Sequence, residues 1–161
     1  LAYVEIIALL EKAGILQGFP TSYIALLDFI SRRNSMYSTL PLAIAVLVSA
    51  GIIVIGYFYV AAPQRIIGGF GLKPPAADAD TRAWLRLKGT RDITAGLAVL
   101  TLILTTDHRT VGIVLLVFAI IPFGDMSTVL FSGGRKVTAF SVHGLTCAVM
   151  LFAGFLLVGA F

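Results

Sequence analysis

The stretch from Pro41 to Ala62 contains no charged side chain, and Thr110–Phe131 and Val137–Phe161 each enclose one acid or imidazole, Asp125 and His143. Each stretch matches the roughly 20 apolar residues that a helix needs to cross a hydrocarbon layer. Charged residues are only 12% of the 161, about half the usual soluble share. With 58% hydrophobic residues, too few charges remain to cover a globule, so the surface is expected to be solvated by lipid. The expected fold class is all-α: an integral membrane antiparallel four-helix bundle with an N-terminal interfacial helical hairpin.

One of the four spans is harder to place. The uninterrupted apolar stretch Ile93–Thr105 is too short to cross, so its helix must begin near Trp84, which draws Lys88, Arg91 and Asp92 toward the hydrocarbon. Spans are therefore predicted at about 41–62, 83–106, 110–131 and 137–160. Between the first two lies a loop in which Gly68-Gly69-Phe70-Gly71 gives flexibility and Pro74-Pro75 stiffness. Asp107-His108-Arg109 and Ser132–Lys136 make the remaining turns. Residues 1–38 form a separate segment beside the bundle of 39–161. Within it Tyr3–Gln17 ends at Gly18-Phe19-Pro20, and Thr21 or Ser22 caps a second short helix over Tyr23–Arg33. Neither piece is long enough to span, so the pair is expected at the membrane interface or against the bundle, with a flexible leader as the competing reading. The start lacks the positive region of a signal peptide.

The formal charge of +4 does not indicate nucleic acid, because the basic residues fall at the ends of apolar runs. The bilayer is the expected partner, and self-association into a homo-oligomer stays open. Of the 12 Lys and Arg, eight belong to the first and third loops and the adjoining start of the second span: Arg65, Lys73, Arg82, Arg86, Lys88, Arg91, Arg135 and Lys136. The other side holds Lys12, Arg32, Arg33 and Arg109. The first and third loops are thus expected to be cytoplasmic, although Arg32 and Arg33 pull the other way. The membrane itself cannot be named from the chain. A single cysteine, Cys147, excludes an internal disulfide, a CxxC pair and a thiolate zinc site.

Ionisable groups inside spans are costly, about 2.5–3.5 kcal/mol each on insertion scales. Arg91 lies seven residues past Trp84, Asp125 seven before Ser132, and His143 seven past Lys136. At about 1.5 Å per residue each is roughly 10 Å in from the same face, and Asp92 and Tyr57 fall at a similar level. An antiparallel bundle would gather them in its interior. Gly89, Asp92 and Gly96 share a helix face that lets a neighbour approach. Asp125, Thr128 and Ser132 make a polar stripe toward the third loop. Pro122 frees the carbonyl of Phe118 and is expected to kink its helix.

Each residue has a plain structural reading. Arg91 and an aspartate would fix helix register as a buried ion pair, and His143 would be a core histidine bonded to a carbonyl. The functional reading assigns Asp125, His143, Asp92 and Arg91 to catalysis: Arg91 neutralises one carboxylate, and a protonated Asp125 beside His143 acts as acid and base on a lipophilic substrate. Tyr57, Lys88, Thr128 and Ser132 are the expected ligand-binding residues. No metal and no cofactor are expected, since one imidazole beside two aspartates lacks a spaced ligand motif.

At Lys88-Gly89-Thr90-Arg91-Asp92 and Phe123-Gly124-Asp125 the chain resembles small four-helix membrane proteins of fungi and bacteria that are grouped under a domain of unknown function and are similar in plan to DoxX-like proteins. The resemblance covers roughly residues 41–161. It implies a four-helix membrane bundle with Arg91, Asp92 and Asp125 at motif positions, and it implies no activity. The expected function is binding of a small lipophilic molecule in a buried polar pocket, with isomerase- or cyclase-like acid–base chemistry on it left open. A structural accessory subunit and a small proton-coupled transporter are the competing readings.

Overall fold

The computed structural model describes Lys12, Gly14 and residues 21–159, the side chains of residues 21–37 excepted. The first helix of the expected hairpin, Tyr3–Gln17, lies outside the described residues. Among the described residues the fold is all-α, without strands. Five helices carry it: α1 Thr21–Ala61, α2 Ala79–Thr105, α3 His108–Phe118, α4 Ile120–Phe131 and α5 Leu145–Gly159. Single turns at Pro63–Ile66 and Lys136–Thr138, a 3-10 turn at Ile67–Phe70 and a π-helical stretch at Ala139–Gly144 connect or extend them.

Ser38–Ala61, His108–Phe131 and Lys136–Gly159 are long and apolar enough to cross a membrane. Their surfaces agree: Leu47 is 71% exposed, Ile120 68% and Phe155 64%. Large apolar side chains displayed at this density call for lipid rather than water. The 27 residues of α2 would extend about 40 Å, enough to cross, but its first half carries too many charges for an apolar span. The helix predicted over Tyr23–Arg33 is not a separate element; it is the first part of α1. The sequence from Asn34 to Leu40 has no glycine, and Pro41 inside a helix costs a hydrogen bond without ending the helix here.

The chain divides into two units, Leu1–Thr39 and Leu40–Phe161, and the second holds the hydrophobic core. Its core is built from Ala45 of α1, Val99 of α2, Val111 and Leu115 of α3, and Cys147, Met150, Ala153 and Leu157 of α5. Small residues set the spacing of the helices. A Cβ added at Gly89 would lie 2.5 Å from the carbonyl oxygen of Gly56, so α1 and α2 touch backbone to backbone there. Cys147 is buried in this core as a small packing residue.

The break between α3 and α4 falls at Ala119, three residues before Pro122, where the missing N–H and the ring interrupt the ladder. The helix starts are capped as the sequence allows. Asp78 accepts from the Thr81 N–H at 2.7 Å, and Asp107 accepts from the Thr110 N–H at 3.0 Å and the Thr110 hydroxyl at 2.7 Å. These hydrogen bonds to the charged form hold both carboxyls below the usual carboxylate value; for Asp107 the Thr110 hydroxyl is the largest cause, for Asp78 the Thr81 N–H.

Candidate functional site

The 3-10 turn at Ile67–Phe70 is folded over one end of the helices and fixed there by the third loop. Arg135 donates from its guanidinium to the Gly68 carbonyl and from its backbone N–H to the Gly71 carbonyl at 2.8 Å. Gly71 has φ of 102° and is pressed against Thr138, so a side chain there would be strained in conformation and crowded. The turn therefore delivers Phe70 inward. The Phe70 carbonyl lies 3.0 Å from Nε2 of His143, and the two rings are 4.8 Å apart. A carbonyl only accepts, so His143 carries its proton on Nε2. His143 itself stands in the π-helical stretch, 8% exposed; wide turns of this kind recur at functional sites.

Beneath Phe70 lies Lys88. Its ammonium is 2.9 Å from Asp92 on the same helix and 3.8 Å from Asp125 on α4, and it stands over the rings of Tyr59 and Phe70 at 5.2 and 5.4 Å. One cation thus answers two carboxylates, with two aromatic faces adding to its stabilisation. Asp92 is nearly sealed, whereas the Asp125 side chain keeps 29% of its surface. Asp125 has no hydrogen bond within the described residues. A cavity of about 330 Å³ opens beside these groups. Its wall is apolar along most of its length, formed by Val48, Ile52 and Ile55 of α1, Val99 of α2, Leu115 and Phe118 of α3, Ile121 of α4 and Met150 of α5. Tyr59, Lys88, Asp125, His143 and Phe70 line it as well.

Of the residues singled out from sequence, the structure gathers Lys88, Asp92, Asp125 and His143 and leaves out four. Arg91 is exposed and pairs with neither aspartate; Lys88 takes the role expected of it. The reason is helical phase. Gly89, Asp92 and Gly96 bury against α1, Lys88 stands one turn before Asp92, and Arg91 is rotated about 100° from Asp92. Tyr57 is 59% exposed while Tyr59, which continues the buried series Ala45, Ser49 and Gly56, is 3% exposed and lines the cavity. Thr128 and Ser132 are both exposed, and the Thr128 hydroxyl donates to the Gly124 carbonyl at 2.8 Å. The buried face of α4 is centred on Pro122 and Val129; Asp125 stands at its edge and Thr128 beyond it.

Sequence reasoning missed Tyr59 and the inward placement of Phe70. Tyr59 was legible from its spacing to Gly56 and Ser49; Phe70 had no local signal beyond its glycine-rich setting. On sequence grounds Lys88 is a ligand contact; its place between the aspartates follows from the phase of α2. Among the described residues no group of three His, Cys, Asp or Glu could hold a metal ion.

Residues 49–157 match the family described as a domain of unknown function (DUF4267), a range that contains every residue of the cavity wall except Val48. No curated protein and no solved structure matches the chain.

Proposed function

The chain belongs to the DUF4267 family, and for this member we propose a four-crossing membrane bundle that binds a small lipophilic molecule in its interior cavity, polar end toward Lys88, Asp125 and His143. The observation that carries this reading is the make-up of the cavity wall. An apolar chamber with a few convergent polar groups at one end is the usual form of a small-molecule site, and about 330 Å³ is within the usual size. Fixing helix register needs a single ion pair. The second carboxylate, the imidazole and the open volume go beyond that need.

Crossing by α2, in the antiparallel plan of DoxX-like proteins, is part of the proposal. Lys88 and Asp92 offset one another inside the bundle, and Arg82 and Arg86 are near enough to the helix start to reach the interface along their stems. The first and third loops are joined through Arg135, and the helical run between them then leaves and returns to one side. Their Lys and Arg content assigns that side to the cytoplasm. Proton transfer on the bound molecule would fall to Asp125, because Asp92 is held by Lys88 and His143 Nε2 by Phe70.

The test is to purify the full chain from its membrane, extract it with organic solvent and compare retained small molecules by mass spectrometry. Asp125→Asn removes the charge at nearly constant shape, and Thr146→Phe fills the cavity from α5. Circular dichroism and elution volume check that both variants fold. A compound held by the wild type and lost from both variants is expected. Equal retention by all three, or nothing retained beyond bulk lipid by the wild type, would remove the proposal.

A further inference from the structure

Arg91, left out of the interior site, stands on an outward stripe of α2. Trp84, Leu87, Arg91, Thr94 and Ala98 follow one another at steps of three and four residues and so share a face. Trp84 is 72% exposed and Leu87 59%. A second, shallower groove runs along this face, lined by Leu87, Thr90, Arg91, Thr94 and Ala98, with Phe118 of α3 as its far wall. The hydroxyls in it are already committed: Thr90 donates to the Arg86 carbonyl at 3.0 Å and Thr94 to the Thr90 carbonyl at 2.9 Å. No hydrogen bond or ion pair engages the Arg91 guanidinium among the described residues. It is therefore a fork of five donors facing outward, about two helical turns past Trp84.

We infer that this groove holds an anionic phospholipid, its phosphate on Arg91 and an acyl chain in the trough over Ala98 beside Phe118. With α2 crossing as proposed above, an outward cation at this depth is costly unless it reaches an anion, and an anionic lipid offers its phosphate without a choline ammonium beside it. Guanidinium suits that partner, because its planar fork bonds two phosphate oxygens at once. The small side chain of Ala98 leaves room for a chain, and Leu87 and Phe118 bound it. This site is distinct from the interior cavity. The phosphate would sit outside the bundle, and neither Lys88, Asp125 nor His143 lines the groove.

Trp84 is the chain's single tryptophan, exposed and three residues before Leu87 on the same face, so its fluorescence reports on lipid at the headgroup end of that face. The full chain is reconstituted in phosphatidylcholine vesicles, and a rising share is replaced by phosphatidylglycerol or by phosphatidylcholine, each brominated near the headgroup. Phosphatidylglycerol is expected to compete for Trp84 about fivefold better than phosphatidylcholine, the worth of one basic residue near an anionic surface. Arg91→Gln should remove that preference, and Arg91→Lys should keep part of it. Ala98→Phe should reduce quenching by both lipids, and Arg109→Gln, in the first turn of α3, should change nothing. Equal quenching by the two lipids in the wild type would overturn the inference. So would an unchanged preference in Arg91→Gln, which would assign it to the basic belt of Arg82 and Arg86.

Discussion

His143 Nε2 donates to the Phe70 carbonyl across 3.0 Å, joining the π-helical entry of the last helix to the loop between the first two. The bond closes the loop over Lys88 and fixes which imidazole nitrogen carries the proton. Removing it should loosen the loop before it loosens the helices. His143→Ala is expected to cost about 1–3 kcal/mol, because the Phe70 carbonyl loses its partner. Amide hydrogen exchange over residues 66–72 should rise well above that of α2 and α5. Unchanged protection there would show that Arg135 alone holds the turn.

Lys88 and Arg91 differ by three positions and should differ widely in effect. Lys88→Met leaves Asp92 sealed and unpaired, with Asp125 beside it, and should destabilise by about 3–5 kcal/mol. Adding Asp92→Asn to Lys88→Met should restore most of that. Arg91→Ala removes an outward side chain with no hydrogen bond or ion pair among the described residues and should stay within about 0.5 kcal/mol. Denaturant or thermal unfolding in one detergent compares the three. Equal losses from Lys88→Met and Arg91→Ala would mean that Arg91 supports the aspartates after all.

Topology can be read chemically. In a Cys147→Ser background, cysteines placed at Ala77 and at His108 are exposed to an impermeant thiol reagent on intact cells. Position 108 should label and position 77 only after lysis, since the first loop belongs to the side richer in Lys and Arg. The reverse pattern would invert the assignment, and equal labelling of both would remove the crossing of α2.

The caps of α2 and α3 give a pH dependence of known sign. Asp78 and Asp107 titrate below the ordinary value of 3.8, so each favours the folded state when ionised. That contribution is complete above about pH 5 and is lost as pH falls through the depressed folded values. Helicity followed by circular dichroism from pH 6 to pH 2 should therefore fall less steeply in the double variant Asp78→Asn, Asp107→Asn. An identical slope would show that the caps carry no linkage.

Depth was legible in the sequence and azimuth was not. Hydropathy is additive along a chain, and helical rise is constant. Counting residues from Trp84, Ser132 and Lys136 set Arg91, Asp125 and His143 at one level within four expected spans, of which three are long and apolar enough to cross a membrane. The caps at Asp78 and Asp107 and the interruption before Pro122 are local as well, each involving residues within one turn. Which neighbour faces inward is a different matter, because each step along a helix turns it by about 100°. The phase was decided by contacts between helices: Gly89 against Gly56 turned Lys88 and Asp92 inward and Arg91 outward, and the same seam selected Tyr59 over Tyr57. Phe70 reached the site only because Arg135 and His143, distant in sequence, hold its loop in place. A chain read alone specifies how far along a helix a group lies; its partner helices decide which way the group points, since a helix buries the face against which another backbone can come closest.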